Sequence, residues 1–157
     1  MPIRRKVGLK HLSFASAVLA AALAPHLACA ALGEPESTAA EDSQQLKGSI
    51  KSMERTNYRV HEIQLPSGSV LREFAAVGGT VFAVAWSGPA LPNLRQALGR
   101  YFDVYVTAAK ANLAGHHHLQ IQQNDLVMQS SGHMRAFTGR AYLPQSLPTG
   151  TSVEELR

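Results

Sequence analysis

The chain has 157 residues, a single cysteine and a formal net charge of +4. Four of its 15 Lys and Arg residues precede residue 31, whereas all 11 Asp and Glu residues follow it, so residues 31–157 carry eleven charges of each sign. This neutral balance argues against a nucleic-acid partner, and one cysteine cannot form an intrachain disulfide.

The first thirty residues have the pattern of a cleaved secretory signal. Basic residues at positions 4, 5, 6 and 10 precede an apolar run, and Ala28-Cys29-Ala30 provides a small-x-small cleavage site. The apolar run is shorter than the roughly 20 residues that a membrane-spanning helix needs. Lipidation of Cys29 is the alternative, although His26 stands where lipoprotein signals usually carry Leu. We therefore predict a periplasmic or secreted protein with no transmembrane segment after cleavage.

A short helix and three strands are predicted in the first half of the mature chain. Residues 31–40 are small and polar, which is typical of a flexible terminus. Leu46, Ile50 and Met53 recur at helical spacing and favour a helix over 41–55, although Gly48 weakens it. The alternating patterns of 58–65, 69–74 and 80–86, separated by glycine-containing turns, then predict an antiparallel meander.

The second half has the same order of predicted elements with a longer helix, but its sequence is not a repeat of the first. Residues 92–115 carry an apolar stripe and end at Gly115, which predicts one helix of about 20 residues that covers the sheet. Strands follow at 118–123, 126–131 and 133–144, with a turn at Ser131-Gly132 and an irregularity at Gly139. The predicted fold is a single α+β domain over 41–157, with a six-stranded antiparallel sheet in the order α-βββ-α-βββ packed against one long helix.

Four separated segments together carry a resemblance to a known family. They read VHEIQLPSGSVLREF, VFAVAWSGPALPNLRQALGRYF, DLVMQSSGHMRAFTGRAYLP and PTGTSVEEL. In this order they resemble an uncharacterised family of small exported proteobacterial proteins, the DUF2844 domain of unknown function. The resemblance covers residues 31–157 and implies a secreted or periplasmic single-domain protein. It implies no activity, so no catalytic residue is transferred.

Three consecutive histidines, at 116–118, raise the question of a metal site. Imidazole is a common ligand of zinc, nickel and copper, and a site needs three or four convergent ligands. In an extended chain His116 and His118 project to one side and His117 to the other. A further ligand would have to be His133 or His61, and His133 could complete the set if its strand lies near that of His118. The alternative is a solvated connection between a helix and a strand, with only weak, adventitious Zn, Ni or Cu binding.

No other constellation has the pattern of an active site, and we assign no catalytic residue. Ser130 or Ser131 beside His133 lacks the strand–turn–helix context of a nucleophile elbow. Glu62 and Glu73 lie in paired strands, but nothing else indicates glycoside hydrolysis.

Cationic side chains near the last strand suggest a contact surface. Arg135 and Arg140, with His133, could bind a carboxylate or phosphate group. Strand alternation places His133 and Arg135 on one face and Arg140 on the other, unless Gly139 forms a bulge. We therefore expect a non-enzymatic binding or accessory protein of the cell envelope, with an unknown envelope component or ligand as partner and no required cofactor. Metal binding through His116, His118 and His133 is the first alternative, and hydrolase activity is the second.

Overall fold

Seven strands form one antiparallel sheet in the computed structural model, which describes residues 32–112 and 118–157. Each strand is paired with an antiparallel neighbour in the order β1-β2-β3-β4-β7-β6-β5, so β1 and β5 are the two edges. The α+β class is confirmed, but the sheet has one strand more than predicted. The strand bounds are β1 Ser49–Glu54, β2 Tyr58–Gln64, β3 Val70–Ala76, β4 Val81–Gly88, β5 His118–Gln122, β6 Val127–His133 and β7 Ala136–Tyr142.

The seventh strand is β1, which occupies the second half of the helix predicted over 41–55. Helix α1 spans only Ala39–Gln45, and Lys47 follows with a φ of 53°. A Cβ on Gly48 would lie 2.7 Å from the Ile63 side chain, so only glycine lets the chain approach β2 this closely. Residues 49–54 then pair with β2 along their whole length. The helix predicted over 41–55 is therefore wrong in its second half. Ile50 and Met53 have helical spacing, but pairing with β2 outweighs this local preference.

The prediction of a single long helix over 92–115 is also wrong, because the helix breaks at Gly99. Helix α2 spans Leu94–Leu98, a 3₁₀ turn spans Gly99–Tyr101, and α3 spans Phe102–Ala111. Gly99 has a φ of 50° and ends α2, a conformation that glycine adopts without steric cost. Among the described residues, no helix is long and apolar enough to cross a membrane.

The last hairpin turns later than the sequence indicates. Strand β6 continues through Gly132 to His133, and the turn consists of Met134 and Arg135, the latter with a φ of 62°. The register of β7 is regular through Gly139, so no bulge lies there. The sheet's irregularity lies instead between Phe74 and Ala75 of β3.

Each face of the sheet has its own apolar cluster. On the helix face, side chains of the sheet such as Val84 and Trp86 pack against α2 and the 3₁₀ turn that follows it. The opposite face is crossed by residues 144–157, which we call the strap. Leu156 of the strap is fully buried in a cluster with Tyr58, Phe74 and Phe82. The strap packs over the apolar side chains of β2, β3 and β4 and reaches β7 through a hydrogen bond from Arg140 to the carbonyl of Val153.

The segment that precedes α1, predicted to be flexible, packs on the helix face. Leu32 is buried, and its amide donates to the carbonyl of Ala97 at 3.1 Å. The Gly33 amide donates to Val81 at 2.8 Å, which fixes the segment beside β4. The predicted signal over 1–30 lies outside the described residues, as do Gly115, His116 and His117.

Candidate functional site

Beside the strap, the same face of the sheet presents aligned polar side chains from four strands. The register pairs Ser87 of β4 with Thr138 of β7, Thr138 with Ser131 of β6, and Ser131 with His118 of β5. Because alternate residues of a strand share a face, these four side chains form one row across the sheet. The next row on the same face contains Arg140.

A cavity of about 580 Å³ lies over these rows, with the end of the strap as one wall. We call it the polar groove, because most of its lining side chains carry a hydroxyl, amide, imidazole or guanidinium group. Among its described lining residues there is no Asp or Glu. The groove is lined by Trp86, Ser87, His118, Leu119, Gln120, Gln129, Ser130, Ser131, Thr138, Gly139, Arg140, Leu156 and Arg157.

Arg140 is held in place by neutral acceptors. Its Nε and Nη2 donate to Oε1 of Gln129 at 3.0 and 2.8 Å, and its Nη1 donates to the carbonyl of Val153 at 2.7 Å. The side chain is half-buried and joins the strap to the sheet. Its guanidinium is therefore oriented, while none of these hydrogen bonds neutralises its charge.

Of the three residues predicted to bind a ligand, only Arg140 lines the groove. His133 pairs with Ala136, so it lies on the same face as Arg140, although the sequence pattern had placed them on opposite faces. The pattern was wrong because the two-residue turn at Met134 and Arg135 shifts the alternation. Arg135 itself lies in that turn and is exposed.

The structure brings two of the three predicted metal ligands near each other. The rings of His118 and His133 lie with their centroids 6.3 Å apart, at an interplanar angle of 84°. His116 lies outside the described residues. Within residues 32–112 and 118–157, no group of three or more His, Cys, Asp or Glu is arranged to hold a metal.

A second polar cluster, which the sequence did not indicate, lies on the helix face. Ser52 Oγ is 2.7 Å from His61 Nδ1, and His61 Nε2 is 2.8 Å from Glu36 Oε1. Arg59 Nη1 contacts the same Glu36 oxygen. Burial raises the pKa of Glu36, but hydrogen bonds from Arg59 and His61 outweigh that effect and lower it.

This cluster has the order hydroxyl, imidazole, carboxylate that is found in serine hydrolases. However, Ser52 and His61 are direct cross-strand neighbours at the β1 edge, and neither lines the polar groove. Its evident role is structural, because it ties Glu36 and the N-terminal segment to β2. Only knowledge of β1 could have revealed it, since the sequence reading had placed Ser52 on a helix.

Glu73 and Asp42 form a buried acidic pair beside this cluster. Both residues are fully buried, and Gln96 Nε2 donates to Asp42 Oδ1 at 2.7 Å. No N–H or hydroxyl donor among the described residues reaches either oxygen of Glu73, whose hydrogen-bonding neighbour is the Asp42 carboxyl. Burial and the neighbouring Asp42 carboxyl hold the pKa of Glu73 well above its usual value. The pair is therefore satisfied when it holds a proton.

Glu62 and Glu73 do not form a pair of carboxylates. Their registers are adjacent, Glu62 with Arg72 and Glu73 with His61, so the two side chains project from opposite faces. Glu62 accepts from Arg72 Nε at 2.9 Å. The geometry offers no shared site for glycoside hydrolysis between them.

The fold and the groove together define an α+β domain with one helix-covered sheet face and a polar concavity on the other. The chain belongs to the DUF2844 family, a protein family of unknown function, whose family model matches residues 28–156. No curated protein and no solved structure matches the chain.

Proposed function

We propose that this protein is a non-enzymatic binding protein, exported to the periplasm or secreted, whose ligand site is the polar groove. The groove carries the proposal. Its volume of about 580 Å³ lies within the range of small-molecule sites, which is roughly 300–1,000 Å³. Its ligand is a component of the cell envelope or a molecule that reaches it.

The chemistry of the lining favours binding over catalysis. Acid–base catalysis commonly uses two titratable groups whose surroundings separate their pKa values. The described lining offers hydroxyl and amide groups, two arginines and the imidazole of His118, with no Asp or Glu side chain to act beside that imidazole. These groups supply hydrogen bonds and positive charge, which are the requirements of recognition.

Export is supported by the sequence pattern of residues 1–30 and by the residue at which the family match begins. The family model begins at residue 28, next to the predicted cleavage site after Ala30. Apart from residues 28–30, the matched part of the chain is the part that the predicted cleavage would leave.

Blocking the groove tests this function. We expect Ser131→Trp to abolish the thermal stabilisation that a bound ligand gives, because the new indole would fill the middle of the aligned row. A panel of saccharides, peptides, organic acids and lipid headgroups is screened by thermal shift against residues 31–157. A ligand at about 100 times its Kd should stabilise the wild-type protein by roughly 2.7 kcal/mol. Ser67→Trp, in the exposed turn before β3, is the matched control.

Two results would contradict the proposal. One is a panel in which no compound stabilises the wild-type protein, or in which the stabilising compound acts equally on Ser131→Trp. The other is turnover of generic ester, phosphate or peptide substrates that is lost in Ser131→Trp but retained in Ser67→Trp.

Metal binding is a second candidate, favoured by the approach of His118 to His133. Two imidazoles on one face could supply half of a tetrahedral site, and His116 is the proposed third ligand. We expect tag-free protein to bind Zn²⁺ or Cu²⁺ with a Kd below about 10 µM, and His118→Ala and His133→Ala each to weaken it at least about tenfold. His61→Ala is the control. Binding that is weaker, or that neither substitution changes, would exclude this function.

A further inference from the structure

The described charged side chains that line the polar groove are all positive. Arg140 and Arg157 line it, and the described lining residues include no Asp or Glu. The half-buried guanidinium of Arg140 donates to Gln129 and to the Val153 carbonyl, both of which are neutral. The exposed carboxylate of Glu154 lies outside the lining. Its pKa is lowered by a hydrogen bond from Ser152 and also by the nearby Arg140 and Arg157, but it forms no ion pair with Arg140. A partly buried cation without an ion-pair partner favours an anion beside it, because the ligand's charge then replaces the lost solvation.

The orientation of Arg140 fits an oxyanion. A guanidinium has five N–H donors in a fixed plane, and the hydrogen bonds to Gln129 and Val153 use three of them. Two donors remain for a ligand. A carboxylate or a phosphate accepts such a pair of hydrogen bonds, whereas a neutral hydroxyl accepts with less charge assistance.

The row beside Arg140 fits hydroxyl groups. Ser87, Thr138 and Ser131 each offer a hydroxyl that can donate and accept, and His118 extends the row to β5. Neighbouring strands lie roughly 4.8 Å apart, so the row spans about 14 Å. A short saccharide matches this length and this alternation of donors and acceptors.

We infer that the ligand of the polar groove is an acidic saccharide, that is, a sugar bearing a carboxylate or a phosphate group, whose oxyanion contacts Arg140. This inference rests on the proposed function of the groove and specifies its ligand. The carboxylate and the phosphate share the chemistry that Arg140 recognises, and the experiment below separates them.

Three sugars that differ only at C6 provide the test: glucose, glucuronate and glucose 6-phosphate. NMR titration of residues 31–157 should show that glucuronate or glucose 6-phosphate binds at least about tenfold more tightly than glucose, with resonance shifts at Ser131 and Thr138. Raising the salt concentration from about 0.02 to 0.5 M should weaken the binding of the anionic sugar and leave the binding of glucose unchanged. Inorganic phosphate, which lacks the ring, should bind more weakly than the preferred sugar.

Variants then assign the contacts. Arg140→Gln should remove the preference for the anionic sugar, and Arg140→Lys should retain part of it. Because Arg140 also holds the strap, Thr138→Val provides a second variant that leaves the strap contact intact. Thr138→Val should weaken the binding of all three sugars without changing the preference for the anionic one. Arg55→Gln, an exposed cation outside the groove, is the control.

The possible failures are distinct. If glucose binds as tightly as the anionic sugars at Ser131 and Thr138, the groove is a binding site but the inferred charge preference is wrong. If inorganic phosphate or an acidic peptide binds as tightly as the sugars, the saccharide assignment is wrong. If no sugar shifts these resonances, the inference is overturned, while the proposed function is still judged by the wider panel and the Ser131→Trp variant.

Discussion

Replacing Glu73 with Gln should raise the free energy of unfolding at pH 8 by about 1–3 kcal/mol and should flatten its decline between pH 5 and pH 8. In the wild-type protein the fully buried Glu73 has Asp42 as its polar neighbour and a pKa well above the ordinary value. An amide is neutral at every pH and carries its own N–H donors for the Asp42 carboxyl. Urea unfolding followed by circular dichroism at several pH values measures the difference.

The sign of this effect follows from proton binding. Because the pKa of Glu73 is raised in the folded state, the folded protein holds more protons than the unfolded chain above the ordinary value of 4.5. The stability that the pair contributes is complete below that value and is lost as the pH rises through the raised pKa. Glu36 acts in the opposite direction: its pKa is lowered, so its contribution is lost as the pH falls below 4.5.

A matched control separates burial from net charge. Glu41→Gln removes the same charge from the exposed side of α1 and should leave the slope between pH 5 and pH 8 unchanged. A Glu73→Gln variant whose stability falls with pH as steeply as that of the wild-type protein would show that Glu73 is not the group responsible.

The strands that the sequence predicted well are those whose pattern is local. The meander β2–β3–β4 follows from alternating apolar residues separated by glycine-containing turns, and the three strands confirm it. Strand β1 was missed because Ile50 and Met53 fit helical spacing equally well. The signal that decides between the two is the close approach of Gly48 to Ile63, which is a tertiary contact.

The sequence allowed one residue of the candidate site to be predicted from its chemistry, but it did not show which residues lie beside it. Arg140 could be selected as a planar cation near the last strand. Its neighbours Ser131 and Thr138 could not be, because their alignment depends on where β6 turns into β7 and on the pairing of β7 with β4. The acidic pair was hidden for the same reason, since Asp42 of α1 and Glu73 of β3 are distant in the sequence and meet only in the folded chain.

Gly139→Ala should destabilise the protein by about 3 kcal/mol and lower Tm by roughly 6–12 °C. A Cβ at this position would lie 2.3 Å from Cζ2 of Trp86, far inside van der Waals contact. The Trp86 side chain is buried on the helix face and has little room to move. Gly78→Ala is the matched control, because a Cβ there meets no atom within 4 Å, and its Tm should change little.

A double-mutant cycle with Trp86→Leu identifies the cause of that loss. The Cβ at residue 139 would also lie 2.8 Å from the carbonyl oxygen of Gln129, so indole and backbone are competing explanations. If the indole is responsible, Gly139→Ala should cost less than about 1 kcal/mol in the Trp86→Leu background, a coupling of roughly 2 kcal/mol. If the two substitutions are additive, the backbone of β6 sets the requirement for glycine. The sequence pattern predicted an irregularity of the strand at Gly139. The first outcome would mean that glycine is needed there for a different reason, namely that the buried Trp86 of β4 leaves no room for a side chain on β7.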